Sequence, residues 1–129
     1  MPNRRYARNH VWARLDGDAV FIGLSARAVE QLGEITGFSL RARPGDELAG
    51  GQCFAALESD KAEVELFTPV GGAVVRVHEA LELRPEVIGD DCYGDGWMLE
   101  LRPGDLGEWN SLLDPVAYSE LLKTATHRD

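Results

Sequence analysis

LESDKAEVEL, residues 57–66, sets a lysine between two stretches of strand character. On its C-terminal side Glu63, Val64, Glu65 and Leu66 alternate polar and apolar, the period-two pattern of a strand with one wet face. On its N-terminal side the run from Cys53 is apolar and strand-like. The spacing predicts a β-hairpin with Lys61 at its tip and Asp60 beside it. Lys61 is one of two lysines in a chain that otherwise takes its positive charge from arginine, the other being Lys123.

Strands also dominate outward from this hairpin. His10 to Leu15 and Asp18 to Leu24 are apolar runs joined around Asp16-Gly17, a tight-turn signal. Ser25 is placed to cap a short helix through Leu32, with Gly33 as its stop. Ile35 to Leu40 reads as a strand, and Pro44-Gly45 and Gly50-Gly51 read as turns. After Thr68-Pro69 and Gly71-Gly72 interrupt the pairing, Ala73 to Val77 resumes it as a third strand. Asp90, Asp91 and the glycines around Tyr93 predict a loop, and Trp97 to Leu101 a further strand.

Beyond Arg102-Pro103-Gly104 the pattern turns helical. Asp105 and Glu108 stand at capping-box spacing, with Trp109, Leu112 and Leu113 as an apolar stripe. Asp114-Pro115 opens a second helix with Tyr118, Leu121 and Leu122 inward. The expectation is a mostly β single domain over 1–129, with its core at about 6–122, flexible ends at 1–5 and 125–129, and a helical annex at the C-terminus. No repeat or low-complexity segment interrupts it.

Composition narrows the function classes. A formal charge of −9 repels phosphate backbones and anionic lipid, so nucleic acid and membrane are not expected partners. MPNRRYARNH lacks an apolar stretch after its arginines and reads as a short basic arm, not a secretory signal; the expected location is the cytoplasm. Cys53 and Cys92 form no CxxC pair, and the three histidines are far apart, so no zinc site is expected.

There is no GxSxG, HExxH or strand-bound GxGxxG signature for catalysis. Cys53 reads as a structural thiol, and Cys92, beside Asp90 and Asp91, as a weakly reactive one. Those acids with Asp95 miss the spacing of a calcium loop, and His78 reads as a surface or edge residue. His10 and Trp12 fall on one side of their strand, which more often means packing than ligation. A hairpin lysine offers its amine to a modifying enzyme, and acylation there would remove the charge and add a long arm. On position alone, a plain solvated lysine is the simpler account.

Glu58-Ser59-Asp60-Lys61-Ala62 resembles the ES-x-K-A motif around the lipoylated lysine of H proteins, the lipoyl carriers of the glycine cleavage system. His10 and Trp12 look like that family's H-x-W strand, Gly23-Leu24-Ser25 like its G-I-T, and Leu32-Gly33 like its L-G. Pro69, Gly72 and Val74 resemble S-P-x-S-G-x-V; Glu79-Ala80-Leu81 with Pro85, its N-E-A-L and following proline; and Tyr93-Gly94-Asp95-Gly96-Trp97, its P-Y-G-x-G-W. Order and spacing hold from about residue 6 to 122.

The resemblance implies a lipoyl/biotinyl-domain-like barrel-sandwich hybrid with helices at its ends, and no active site of the chain's own. It implies lipoate in amide linkage to Lys61, a recognition motif of Glu58, Ser59, Asp60 and Ala62, and arm docking at His10, Val11, Trp12 and Glu65. The implied role is that of a monomeric carrier of an aminomethyl group among glycine decarboxylase, aminomethyltransferase and dihydrolipoyl dehydrogenase. A lipoate ligase or a lipoyl or octanoyl transferase would load it. A biotinyl carrier is disfavoured, since biotin domains usually set methionine on both sides of the lysine, where this chain has Asp60 and Ala62.

Some positions depart from the family pattern. Val11 stands where a glutamate is typical, and Glu65 where an aspartate is common. Phe38-Ser39-Leu40 replaces V-E-L, His78 an asparagine, and Cys92 a proline. Valine cannot accept a hydrogen bond from an amine. That departure raises an alternative, an H-like lipoate-binding protein carrying sulfur intermediates for a heterodisulfide-reductase-like complex.

Overall fold

The computed structural model describes residues 4–126, with side chains to 123. Along the chain the elements are β1 (Arg4–Tyr6), β2 (Val11–Asp16), β3 (Ala19–Leu24), α1 (Ala26–Leu32), β4 (Ile35–Leu40), β5 (Glu47–Leu48), β6 (Cys53–Ser59) and β7 (Glu63–Phe67). There follow β8 (Gly72–Val77), α2 (Ala80–Leu83), α3 (Glu86–Asp90), β9 (Leu99–Pro103), α4 (Leu106–Asn110) and α5 (Pro115–Thr126). A six-stranded sheet runs β1-β2-β3-β9-β8-β5, and a three-stranded sheet β4-β6-β7. Every pairing is antiparallel.

Alternation along β2 explains how the sheets are used. Val11 and Ala13 point into the core between the sheets, where they meet Ile22, Phe38, Phe54, Leu57 and Leu101. Trp12 points the other way, into a second cluster with Tyr6 and Tyr118 under α5. Burying a side chain such as Leu57, which has no exposed surface, stabilises the fold by roughly 2 kcal/mol. In the second cluster Tyr6 and Tyr118 stack with ring centroids 4.1 Å apart.

Local signals in the sequence account for most element ends. Ser25 Oγ accepts from Ala28 N–H and caps α1, and the Gly33 N–H returns to Val29 O at 3.0 Å. Asp114 Oδ1 accepts from Ala117 N–H at 2.8 Å, with Pro115 opening α5. The β2–β3 turn is one residue later than Asp16-Gly17 suggests: Asp16 pairs with Ala19, and the loop is Gly17-Asp18, with Gly17 at φ 64.

Elsewhere the structure corrects the reading. The basic N-terminal arm contributes β1, so Arg4 and Arg5 are structured, and residues 125 and 126 belong to α5; 1–3 and 127–129 lie outside the described residues. The third strand after the hairpin does not resume the same sheet, because β8 crosses to pair with β9 and β5. Asp90 closes helix α3 and is not in a loop, and α2 and α3 together occupy a stretch too short to show helical periodicity. The last strand is β9, displaced to Leu99–Pro103. Glu108 turns away from its capping box to accept from Gly71 N–H at 2.9 Å, and α4 ends at Asn110, so Leu112 and Leu113 follow the helix. His78 is half-buried, stacked on Trp97 at 4.4 Å and bonded through Nδ1 to its carbonyl.

Candidate functional site: the lysine hairpin

β6 and β7 pair from Cys53↔Phe67 to Glu58↔Glu63, leaving Asp60, Lys61 and Ala62 as the connection beyond Ser59. Leu57 and Leu66 anchor the inner face in the core. Ser59 builds the turn: its N–H donates to Ala62 O at 2.8 Å, and its Oγ accepts from Lys61 N–H at 3.2 Å and from Ala62 N–H at 3.1 Å. The hydroxyl in turn donates to Ala62 O at 3.1 Å. A side-chain hydroxyl thus substitutes for a longer strand ladder in ordering the tip.

Asp60 reaches out of the turn. Its N–H donates to Glu34 O at 3.0 Å, and its Oδ1 accepts from Glu34 N–H at 3.0 Å. Gly33, at φ 80, has no room for a side chain, since a Cβ would lie 2.5 Å from Asp60 Oδ1. Lys61 itself is exposed, and among the described residues its amine has no hydrogen-bond or ion-pair partner. Glu58 and Glu63, exposed and cross-strand neighbours, leave the tip acidic on both strands.

The four residues expected to dock an arm do not share a surface. Val11 is 1% exposed and Trp12 not at all; they face opposite sides of β2. Trp12 donates Nε1–H to Cys92 O at 2.9 Å. His10, half-buried with φ 69, sits 2.7 Å through Nδ1 from the Tyr118 hydroxyl, which is 2.9 Å from Ser25 Oγ. Burial, with the nearby Arg27 charge second, pushes its pKa down. Glu65 is exposed and accepts from Arg41 Nη1 at 2.6 Å. That bond is the first cause raising the Arg41 pKa.

Two features of the site were not legible in the sequence. One is the Asp60–Glu34 pair, which joins residues 26 positions apart. The other is a cleft of about 330 Å³ at the end of β7 away from Lys61, lined by Ala7, Asn9, Phe67, Pro69 and Leu112 among others. It forms where four separated segments converge, around residues 6–9, 51, 67–69 and 111–113, and no local pattern announces that.

A small β-sandwich that, among the described residues, holds an exposed, unpartnered lysine on a braced hairpin has the form of a cofactor-carrying domain. The family described as Glycine cleavage H-protein matches residues 4–125. The chain is 36% identical over 120 residues to the glycine cleavage system H protein of Bacteroides fragilis, covering 93% of this chain and 94% of that one. It is 40% identical over 119 residues to that of Shewanella loihica, covering 92% of each. Its fold is similar to the crystal structure of a glycine cleavage system H protein from Mycobacterium marinum, with TM-score 0.84, 29% identity, and coverage of 94% and 97% of the two chains.

The chain belongs to the glycine cleavage H-protein family. It has that family's hybrid barrel-sandwich fold and is a non-catalytic lipoyl carrier of the glycine cleavage system. Membership implies the P, T and L proteins of that system as partners. Among the described residues no helix is long and apolar enough to cross a membrane.

Proposed function

We propose that the chain carries its lipoyl group on Lys61. The observation that supports this most directly is the contrast within one turn: the backbone around Lys61 is held by Ser59 and Asp60, while the amine is exposed and unpartnered. A modifying enzyme that must read one lysine gains from a rigid presentation, because a flexible segment loses ordering entropy on binding. The residues fit a lipoyl amide, since Lys61 is exposed and, among the described residues, its amine has no ion pair to give up. Lys123, by contrast, lies on α5 within 3.8 Å of Glu120.

When attached, the lipoyl dithiolane supplies the reversible disulfide chemistry and the group transfer. The protein's own residues present and orient the arm and leave its surroundings open to partner enzymes. The carrier works in the cytoplasm and is loaded by a lipoate ligase or by an octanoyl or lipoyl transferase. Glu58 and Glu63 supply negative charge beside the lysine for a basic partner surface. The glycine cleavage relatives favour this pathway over the sulfur-carrying alternative raised by Val11, whose side chain is buried in the core.

The deciding experiment is lipoylation of the wild-type chain and of Lys61→Arg, read by intact mass. Addition of one lipoyl group to the wild type and none to the variant is expected. Full modification of the folded variant would move the site elsewhere.

A further inference from the structure

We infer that Asp60 is a positioning residue for modification of Lys61, acting as a hydrogen-bond acceptor through its shape and not through its charge; the inference rests on Lys61 being the attachment site. The hydrogen bonds that the Ser59 hydroxyl makes all close within residues 59–62, so they fix the internal form of the turn, while its attachment to the body comes from the strands on either side. The β6–β7 ladder stops at Glu58↔Glu63 and the β4–β6 ladder at Ile35↔Ser59, both short of Asp60.

Asp60 carries that β4 edge one residue further, to the neighbour of the lysine. Its N–H and Oδ1 grip the carbonyl and the N–H of one residue, Glu34, each at 3.0 Å. Two bonds to the same residue restrain rotation as well as distance. Glu34 follows Gly33, which ends α1, and α1 is held at its other end by the buried Ser25 cap. A continuous run of fixed backbone therefore leads from the core through α1 and the Gly33-Glu34 corner to the residue preceding the lysine. The corner admits this arrangement because Gly33 carries no Cβ to collide with the carboxylate.

Asp60 is also exposed and acidic, so a modifying enzyme reading its charge is the competing account. Asparagine separates the two, because Asp60→Asn keeps an Oδ1 acceptor and the backbone N–H but removes the charge. Asp60→Ala removes the acceptor. The test measures kcat/KM for lipoylation of the full-length apoprotein by a lipoate ligase, with wild type, Asp60→Asn, Asp60→Ala and Lys61→Arg compared. Amide exchange at Lys61 and Ala62 is followed by NMR in parallel.

The expected result is a loss of about tenfold for Asp60→Ala, the order of one hydrogen bond, with faster exchange at Lys61. Asp60→Asn is expected to stay within about twofold of wild type on both readouts. Equal losses in Asp60→Asn and Asp60→Ala would overturn the inference in favour of charge reading. An unchanged rate in Asp60→Ala would overturn it outright. Modification that persists in Lys61→Arg would instead remove the attachment site on which it rests.

Discussion

The Tyr118 hydroxyl lies 2.7 Å from His10 Nδ1 and 2.9 Å from Ser25 Oγ, so one side chain of the C-terminal helix joins the entry to β2 with the cap of α1. Ser25 Oγ already accepts from Ala28 N–H. The arrangement that satisfies every group has Ser25 donating to Tyr118 and Tyr118 donating to a neutral His10. The Tyr6 ring stacked on Tyr118 completes the docking of α5. Removing the hydroxyl in Tyr118→Phe is expected to cost about 1–2 kcal/mol in chemical denaturation, since the buried Ser25 O–H loses its acceptor.

The same triad gives stability a pH dependence. His10 titrates below its ordinary value because burial, and then Arg27, disfavour its charged form. On acidification the unfolded chain therefore takes up the proton first. The contribution of His10 is full above the unfolded value of about 6.5 and declines as pH falls from there toward the lower folded value. Wild-type Tm is expected to fall more steeply than that of His10→Asn as pH falls below about 6.5. Asparagine suits the comparison because it tolerates the positive φ at this position. Parallel curves for the two proteins would contradict the linkage.

Trp12 is a structural residue in this fold. It has no exposed surface, its indole N–H is satisfied by the Cys92 carbonyl, and Tyr93 packs beside it at 6.0 Å. Trp12→Ala is expected to destabilise the protein by about 3–5 kcal/mol in urea denaturation. In whatever fraction remains folded, lipoylation, proposed at Lys61, is expected to proceed at the wild-type rate.

The hairpin, the capped α1 and the opening of α5 were legible because each rests on a local signal: period-two alternation, Ser25 before an apolar stripe, Asp114 before Pro115. What local signals do not encode is the partner of each strand. β8 reads as a continuation of the hairpin yet pairs in the other sheet, and β5 is too short to show a period. The site divides in the same way. Lys61 at its tip and a packing role for Trp12 followed from the pattern, whereas the pairing of Asp60 with Glu34 depends on contact between distant residues.

Cys92 gives a chemical prediction. Burial, and then the backbone and Asp91, act on its thiol, with the net effect of raising its pKa. A raised value keeps the sulfur protonated at neutral pH and slows its attack on electrophiles. Alkylation by iodoacetamide in the native protein is expected to be slower at Cys92 than in a free cysteine peptide, to accelerate with rising pH, and to reach the peptide rate in denaturant. Peptide mapping of the alkylated sites measures this, and peptide-like reactivity at Cys92 in the folded state would contradict the burial argument.

Ser59 offers the sharpest separation between order at the tip and stability of the whole. Its hydroxyl makes three of the hydrogen bonds that close the turn, two as acceptor and one as donor, all at a solvent-facing end of the hairpin. Ser59→Ala removes them together and leaves the Leu57 and Leu66 anchors in place. Water can replace the lost partners there, so global stability is expected to fall by only about 1 kcal/mol. Local opening is expected to change more, because the Lys61 and Ala62 amides lose the acceptor that protects them. Native-state hydrogen exchange is therefore expected to quicken at these two amides while the β6–β7 ladder keeps its protection. If exchange quickened equally along β6, the turn would be nucleating the hairpin, and Ser59 would have to be counted among the residues that hold the sheet together.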